Sequence, residues 1–240
     1  MAKSQQQAVD EAVRDKLALV LDVDDLVIAQ RLARELKPYF GAAKVGLELF
    51  SASGLDSIEM LRSMGYNVFV DLKLHDIPTT VHRASRVLGE LGVSYLTMHA
   101  QGGLEMLRAG VEGLAEGSSD SDVEFSHALA VTVLTSDSDA PPHIMPKRVM
   151  LAAEAGCGGI VCSVADLSDA HSYAPRLLRV TPGIRLSGAD HDDHANPSTP
   201  ADALANGSDL LVVGRTVTQA DDPVAACERI YAEIAANSEG

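Results

Sequence analysis

The feature that most constrains this chain is a repeated alternation. Eight apolar, strand-like runs follow one another, each separated from the next by a stretch that suits a helix or a connecting loop. The runs cover residues 17–23, 42–49, a third that opens at Asn67, then 95–100, 127–134, 159–162, 177–184 and 209–214. Helical spacing is clear in between: Leu26, Ala29, Leu32, Ala33 and Leu36 after the first run, and Val81, Ala84, Leu88 and Leu91 after the third. Strand–helix units in unbroken succession imply parallel strands joined by crossover helices, an α/β fold. Eight such units in 240 residues favour a closed (β/α)8 TIM barrel, one domain over residues 1–240, against an open doubly wound sheet. No GxGxxG follows the first run, which lowers a dinucleotide-binding reading further.

Local signals set the punctuation. A helix is expected over 54–64 with Gly65 as its C-cap, and another over 103–114. A loop of Gly, Ser and Asp spans 117–122, and a longer one with three prolines spans 135–146 before a helix carrying Val149, Met150 and Ala153, with Gly156 near its end. A short helix is expected near Asp166. Residues 186–198 are polar and without period. Thr199 then caps a helix with Pro200 in its first turn, Gly207 ends it, and Asp222-Pro223 opens the last helix, with Ala226, Ile230 and Ile234 on one face.

In such a barrel the chemistry sits at the C-terminal ends of the strands, and the unusual polar residues of this chain gather there. Asp22 ends the first strand and Lys44 lies in the second. Asp71 and Lys73 end the third, on one side of a period-two strand, with Asp76 just beyond. Thr135 and Ser136 end the fifth, Pro182-Gly183-Ile184-Arg185 the seventh, and Gly214-Arg215 the eighth. Each has a plainer reading: a structural ion pair for Asp71 and Lys73, a helix cap for Asp22, a surface lysine for Lys44, a surface salt bridge for Arg215. Their shared rim is what favours function. Barrels often hold phosphate with the loops after strands seven and eight. Gly183 and Gly214 would let backbone approach an oxyanion, and Arg215 would supply a forked charged donor, so a small phosphorylated metabolite is the expected ligand.

The formal net charge of -15 argues against general nucleic-acid or anionic-membrane binding, while leaving room for one locally positive cleft. Cys157, Cys162 and Cys227 show no CxxC spacing and read as reduced, core-filling thiols of a cytosolic protein. Residues 1–10 lack a signal-peptide apolar segment, and no apolar run approaches the roughly 20 residues of a membrane span. A cytoplasmic location is the expectation.

Asp71-Leu72-Lys73-Leu74-His75-Asp76-Ile77-Pro78 resembles the signature of the orotidine 5'-phosphate decarboxylase family. Leu21-Asp22, Lys44-Val45-Gly46, Val131-Thr132-Val133-Leu134-Thr135-Ser136, Val180-Thr181-Pro182-Gly183-Ile184-Arg185 and Val213-Gly214-Arg215 follow in the family order, so the resemblance runs from strand one to strand eight. It is closest to the bacterial short-chain form. The resemblance implies decarboxylation of orotidine 5'-phosphate to UMP and CO2 in pyrimidine biosynthesis, without a cofactor or metal. It implies Lys73 as proton donor to C6, Asp71 beside the scissile carboxylate, and Asp76 reaching the partner's site in a homodimer. Asp22 and Lys44 would contact the ribose, Ile77 would line the pyrimidine pocket, and Thr80 and Thr135 would touch the ligand. Pro182, Arg185, Gly214 and Arg215 would lie at the phosphate end.

The sequence departs from the family where Asp192-Asp193-His194 replaces a Gly-Asp-Gln segment, which puts His194 in the place of a ligand-contacting Gln. Thr79 stands where the bacterial motif commonly has Asn. His191-Asp192-Asp193-His194 also admits a metal-cluster reading, disfavoured by the lack of a fourth ligand. His75 reads as a surface or supporting residue and His99 as a packed strand end. Two other functions stay open: a magnesium-dependent 3-keto-L-gulonate 6-phosphate decarboxylase or hexulose phosphate synthase, and a non-enzymatic nucleotide-sensing barrel. The Ile77-Pro78 continuation and the Thr-Pro-Gly-Ile-Arg segment favour orotidine phosphate over the first, and the complete Asp71, Lys73 and Asp76 set disfavours the second.

Overall fold

The computed structural model describes residues 11–137, 139–186 and 198–238. Its strands are β1 (Leu17–Val20), β2 (Ala42–Val45), β3 (Asn67–Leu74), β4 (Tyr95–His99), β5 (His127–Val131), β6 (Gly159–Val161), β7 (Leu178–Thr181) and β8 (Leu210–Val213). They pair in parallel and in sequence order, and β8 returns to β1, so the sheet closes into a barrel. The helices are α1 (Leu26–Leu36), α2 (Leu47–Ser53), α3 (Asp56–Ser63), α4 (Pro78–Glu90), α5 (Gly103–Ser118), α6 (Ile144–Ala155), α7 (Leu167–Tyr173), α8 (Pro200–Ala205), α9 (Arg215–Thr218) and α10 (Pro223–Ser238). The expected (β/α)8 barrel is what forms.

Strand parity divides the core in two. Ala18, Val20, Ala42, Phe69, Tyr95, Leu129, Val180, Leu210 and Val212 fill the inside of the barrel. Their sequence neighbours, among them Leu17, Leu19, Val68, Val70, Leu96 and Leu211, pack outward against helix residues such as Leu36, Leu88 and Leu107. Strands buried on both faces read as continuous apolar runs, which is why the runs were visible in the sequence. The same parity carries the inward face two residues further, to Asp22 beyond Val20, Lys44 beyond Ala42, Asp71 beyond Phe69 and Thr97 beyond Tyr95.

The strands are shorter than the apolar runs, because pairing stops where a neighbouring chain turns away into its helix. The run 42–49 breaks at Gly46 and becomes α2. A Cβ at Gly46 would lie 2.5 Å from Asp22 Oδ1 and 3.0 Å from Lys44 Nζ, so only glycine leaves those side chains their places. The helix expected over 54–64 forms as α3, and the short α2, which the sequence placed in the second apolar run, precedes it across Gly54, whose φ is 54°. The proline-rich loop ends three residues early, since α6 starts at Ile144 and takes Pro146 into its first turn, where a missing N–H has no helical partner to lose. The one-turn α9 follows β8 directly and has no apolar period by which to foresee it. The expected cap does form, with Thr199 Oγ1 accepting from the Asp202 N–H at 3.1 Å. Helices α4 and α5 approach closely along glycines: a methyl on Gly113 or Gly117 would overlap the carbonyl oxygens of His82 and Arg86.

One irregularity shapes the site. Val70 pairs with Leu96, but the next pair is Leu74 with Met98, so four steps along β3 match two along β4. The surplus is absorbed as a bulge over 71–73. Lys73 there has φ 50°, and among the described residues it is the one non-glycine with positive φ. Left-handed backbone at a bulky residue is costly and persists where its surroundings over-determine it.

Candidate active site

The inward side chains at the strand ends form a chain of alternating charge. Lys44 Nζ lies 3.4 Å from Asp22 Oδ1 and 3.3 Å from Asp71 Oδ2, and Lys73 Nζ lies 2.9 Å from Asp71 Oδ1. The Lys44 side chain is 9% exposed and that of Asp71 14%, whereas Lys73 and Asp22 are more open to the cavity above. A buried ammonium and carboxylate are tolerable only with partners in place. Burial pushes the Asp71 carboxyl up, but Lys44, then Lys73 and the hydrogen bonds from Lys73 and Thr97, hold it below the usual carboxylate range. Asp71 is therefore an anion at neutral pH, bound to two cations. The plainer reading of Asp71 and Lys73 as a bare structural pair understates this arrangement, because Asp22 and Lys44 extend it across three adjacent strands.

The array borders a cavity of about 520 Å³ at the C-terminal mouth of the barrel. That volume falls in the range of sites for small ligands. Its floor is apolar, made by Val20, Phe69, Val161 and Val212. Asp22, Lys44, Asp71 and Lys73 line it on the side of β1 to β3, Thr135 lies after β5, and Pro182, Arg185, Gly214 and Arg215 lie at the ends of β7 and β8. Arg185 Nη1 donates to the Ile184 carbonyl at 3.0 Å, and Thr216 Oγ1 donates to the same carbonyl at 2.8 Å, tying the end of β7 to α9. The Arg185 N–H donates to the Ser198 carbonyl at 3.0 Å, beside the bridge between Ile184 and Ser198. His194, and with it the segment from His191, lies outside the described residues.

Asp76, Ile77 and Thr80 do not line this cavity. All three are exposed at the start of α4, Ile77 by 66%. Asp76 Oδ1 accepts from the Ile77 N–H at 2.7 Å. His75 is exposed and stacks on His99 with ring centroids 5.6 Å apart. Burial first, then Arg148, His75 and Lys73, push the His99 imidazole below its usual value, so it is held neutral.

The sequence pattern assigned no role at the site to Thr97, Gly46 or Cys162, nor to Glu48 and Gln219, which also line the cavity. Thr97 is buried and hydrogen-bonds both Asp71 and Lys73; its signal was a hydroxyl in an apolar strand, two residues past the inward Tyr95. Gly46 leaves space for the Asp22–Lys44 pair, and Cys162 lines the cavity. All three cysteines are buried and free, and burial pushes each thiol up to about 12, which makes them inert filler. Among the described residues no group of His, Cys, Asp and Glu is placed to hold a metal ion, and no helix is long and apolar enough to cross a membrane.

Comparison with known proteins agrees with this geometry. The orotidine 5'-phosphate decarboxylase of Moorella thermoacetica is 40% identical over 241 residues, covering 95% of this chain and 96% of the relative. That of Anaeromyxobacter dehalogenans is 42% identical over 231 residues, covering 92% and 98%. The crystal structure of orotidine 5'-phosphate decarboxylase from Lactobacillus acidophilus superposes with a TM-score of 0.77 at 34% identity, covering 92% of this chain and 99% of that one. The family model for orotidine 5'-phosphate decarboxylase and HUMPS proteins matches residues 15–230, and the chain belongs to that family.

Proposed function

We propose that this protein decarboxylates orotidine 5'-phosphate to UMP and CO2, with Lys73 as the proton donor. The observation that carries the reading is the array Asp22–Lys44–Asp71–Lys73 at one side of a cavity whose other side carries Arg185 and Arg215. A nucleotide monophosphate needs cationic and backbone donors at one end and, for this reaction, a cation at the other. The C6–carboxylate bond breaks, CO2 leaves, and the electron pair stays on C6. A fixed ammonium beside C6 stabilises that charge as it develops and then transfers its proton to the carbon. Asp71 pairs with Lys73 and aims it, and its own negative charge faces the substrate carboxylate as the bond stretches. Arg185, Gly214 and Arg215 hold the phosphate, with Pro182 beside them and His194 from the adjoining segment. Asp22 and Lys44 take the ribose hydroxyls, and Thr135 touches the ligand. Phosphate binding far from C6 then supplies energy that orients the reacting end.

Asp76, Ile77 and Thr80 enter the reading through a homodimer. Their exposure outside the chain's own cavity fits residues that complete a partner's site, Asp76 near its Lys73, Ile77 against the pyrimidine and Thr80 at the ligand. The reaction sequence belongs in the cytoplasm.

The test is the ultraviolet change on mixing orotidine 5'-phosphate with the protein, with and without EDTA. Steady decarboxylation in both is expected. No decarboxylation by folded protein sinks the proposal, and magnesium-dependent turnover of a sugar phosphate replaces it with the sugar-phosphate reading. For the shared site, inactive Asp76→Ala and Lys73→Ala proteins are mixed and allowed to exchange subunits. Activity is expected to return, because a mixed dimer holds one site with both native residues; a mixture as inactive as its parents removes Asp76 from the partner's site.

A further inference from the structure

We infer that Thr97 is a positioning residue for the reaction, the group that sets both the backbone of Lys73 and the carboxylate of Asp71. The inference rests on the decarboxylation reading and adds a residue to it. Thr97 lies on β4, is 0% exposed and points to the inside of the barrel two residues beyond Tyr95. Its hydroxyl has one proton to give and lone pairs to receive. Thr97 Oγ1 accepts from the Lys73 N–H at 2.9 Å and donates to Asp71 Oδ1 at 2.9 Å. The same Oδ1 receives Lys73 Nζ at 2.9 Å. The three residues thus close a ring of hydrogen bonds: backbone of Lys73, hydroxyl of Thr97, carboxylate of Asp71, ammonium of Lys73.

The ring sits where β3 and β4 fall out of register. Ordinary ladder pairing is interrupted there, and the Lys73 N–H is satisfied by a side chain instead. A backbone N–H partly withdrawn from water needs such a partner. The hydroxyl therefore does two things at once. It holds Lys73 in the left-handed conformation that aims its side chain into the cavity, and it fixes which oxygen of Asp71 meets the ammonium. No phosphate or ribose contact is involved, since Thr97 does not line the cavity. Its loss should act on the chemical step and leave substrate binding nearly intact.

Thr97→Val replaces the hydroxyl by a methyl at almost constant shape, Thr97→Ala removes it with less bulk, and Thr97→Ser retains it. Native sites in each preparation are counted by titration with UMP, so that unfolded protein does not pass for slow enzyme. The expected result is a fall in kcat of about 10- to 100-fold in Val and Ala, the cost of an ångström-scale misplacement. KM should stay within about threefold, and Ser should recover most of the lost rate. A wild-type kcat per native site in either hydroxyl-free variant overturns the inference, as does a Ser variant no faster than Val. Loss of the native fold in both hydroxyl-free variants makes Thr97 a folding residue and overturns it equally. A wild-type protein that does not decarboxylate orotidine 5'-phosphate at all is a different failure, that of the functional reading itself.

Discussion

Replacing Lys73 by glycine should cost no more stability than replacing it by alanine, the reverse of the usual order within a strand. Both variants remove the ammonium 2.9 Å from Asp71 and leave that carboxylate with Lys44 at 3.3 Å. The lost ion pair therefore cancels when the two are compared. What differs is the backbone. At φ 50° an alanine pays about 1–2 kcal/mol for left-handed geometry that glycine adopts freely. Glycine in turn has a looser unfolded chain, worth about 0.4–1 kcal/mol against it. The balance puts Lys73→Gly level with Lys73→Ala or above it by up to about 1.5 kcal/mol, from the same two terms. At an ordinary strand position glycine falls below alanine by about 0.5–1 kcal/mol. Urea unfolding followed by circular dichroism measures the difference, with equal m-values as the check that the unfolded states are comparable. Neither variant should decarboxylate. A glycine variant less stable than the alanine variant by the ordinary margin would refute the claim that the site stores backbone strain at its central lysine.

Asp71 makes the stability depend on pH. Its folded-state affinity for protons is lower than the ordinary carboxylate value of 3.8, so the unfolded chain binds the proton more readily. Its contribution is complete above that value and is lost as pH falls through the lower, folded one. Asp71→Asn should therefore destabilise by about 3 kcal/mol at pH 7, by leaving Lys44 with half its counter-charge, and the gap to wild type should close in acid; a gap that stays constant down to pH 2 contradicts this. Gly117→Ala should lower the melting temperature, by the equivalent of about 1–3 kcal/mol, because the methyl meets the Arg86 carbonyl across α4 and α5. Helix propensity alone predicts a gain, so the direction of the shift in a thermal melt decides between packing and propensity.

Much of this was legible from residue order because the signals are local. Strands buried on both faces must be apolar throughout, so the eight runs stood out. Thr199, Gly65, Gly156 and Gly207 mark helix ends through capping and left-handed backbone, and each does so in the structure. Strand parity and the rule that chemistry sits at strand ends then brought Asp22, Lys44, Asp71, Lys73, Thr135, Arg185 and Arg215 to one rim, and these do line one cavity. Less legible were the places where two segments compete for the same residues. The run 42–49 looked like one strand, yet packing beside Asp22 and Lys44 breaks it at Gly46. Pro146 looked like loop, yet it fits a first helical turn.

Residue order alone thus determined the architecture and the chemical inventory, because periodicity, caps and residue type act over a few positions. Only the tertiary structure decided the working geometry. The mismatch of β3 against β4, the left-handed Lys73 and the buried hydroxyl of Thr97 arise from two strands 24 residues apart being held in one register. Closing the barrel imposes that register from outside either strand, and no local pattern in 71–73 or around Thr97 records it.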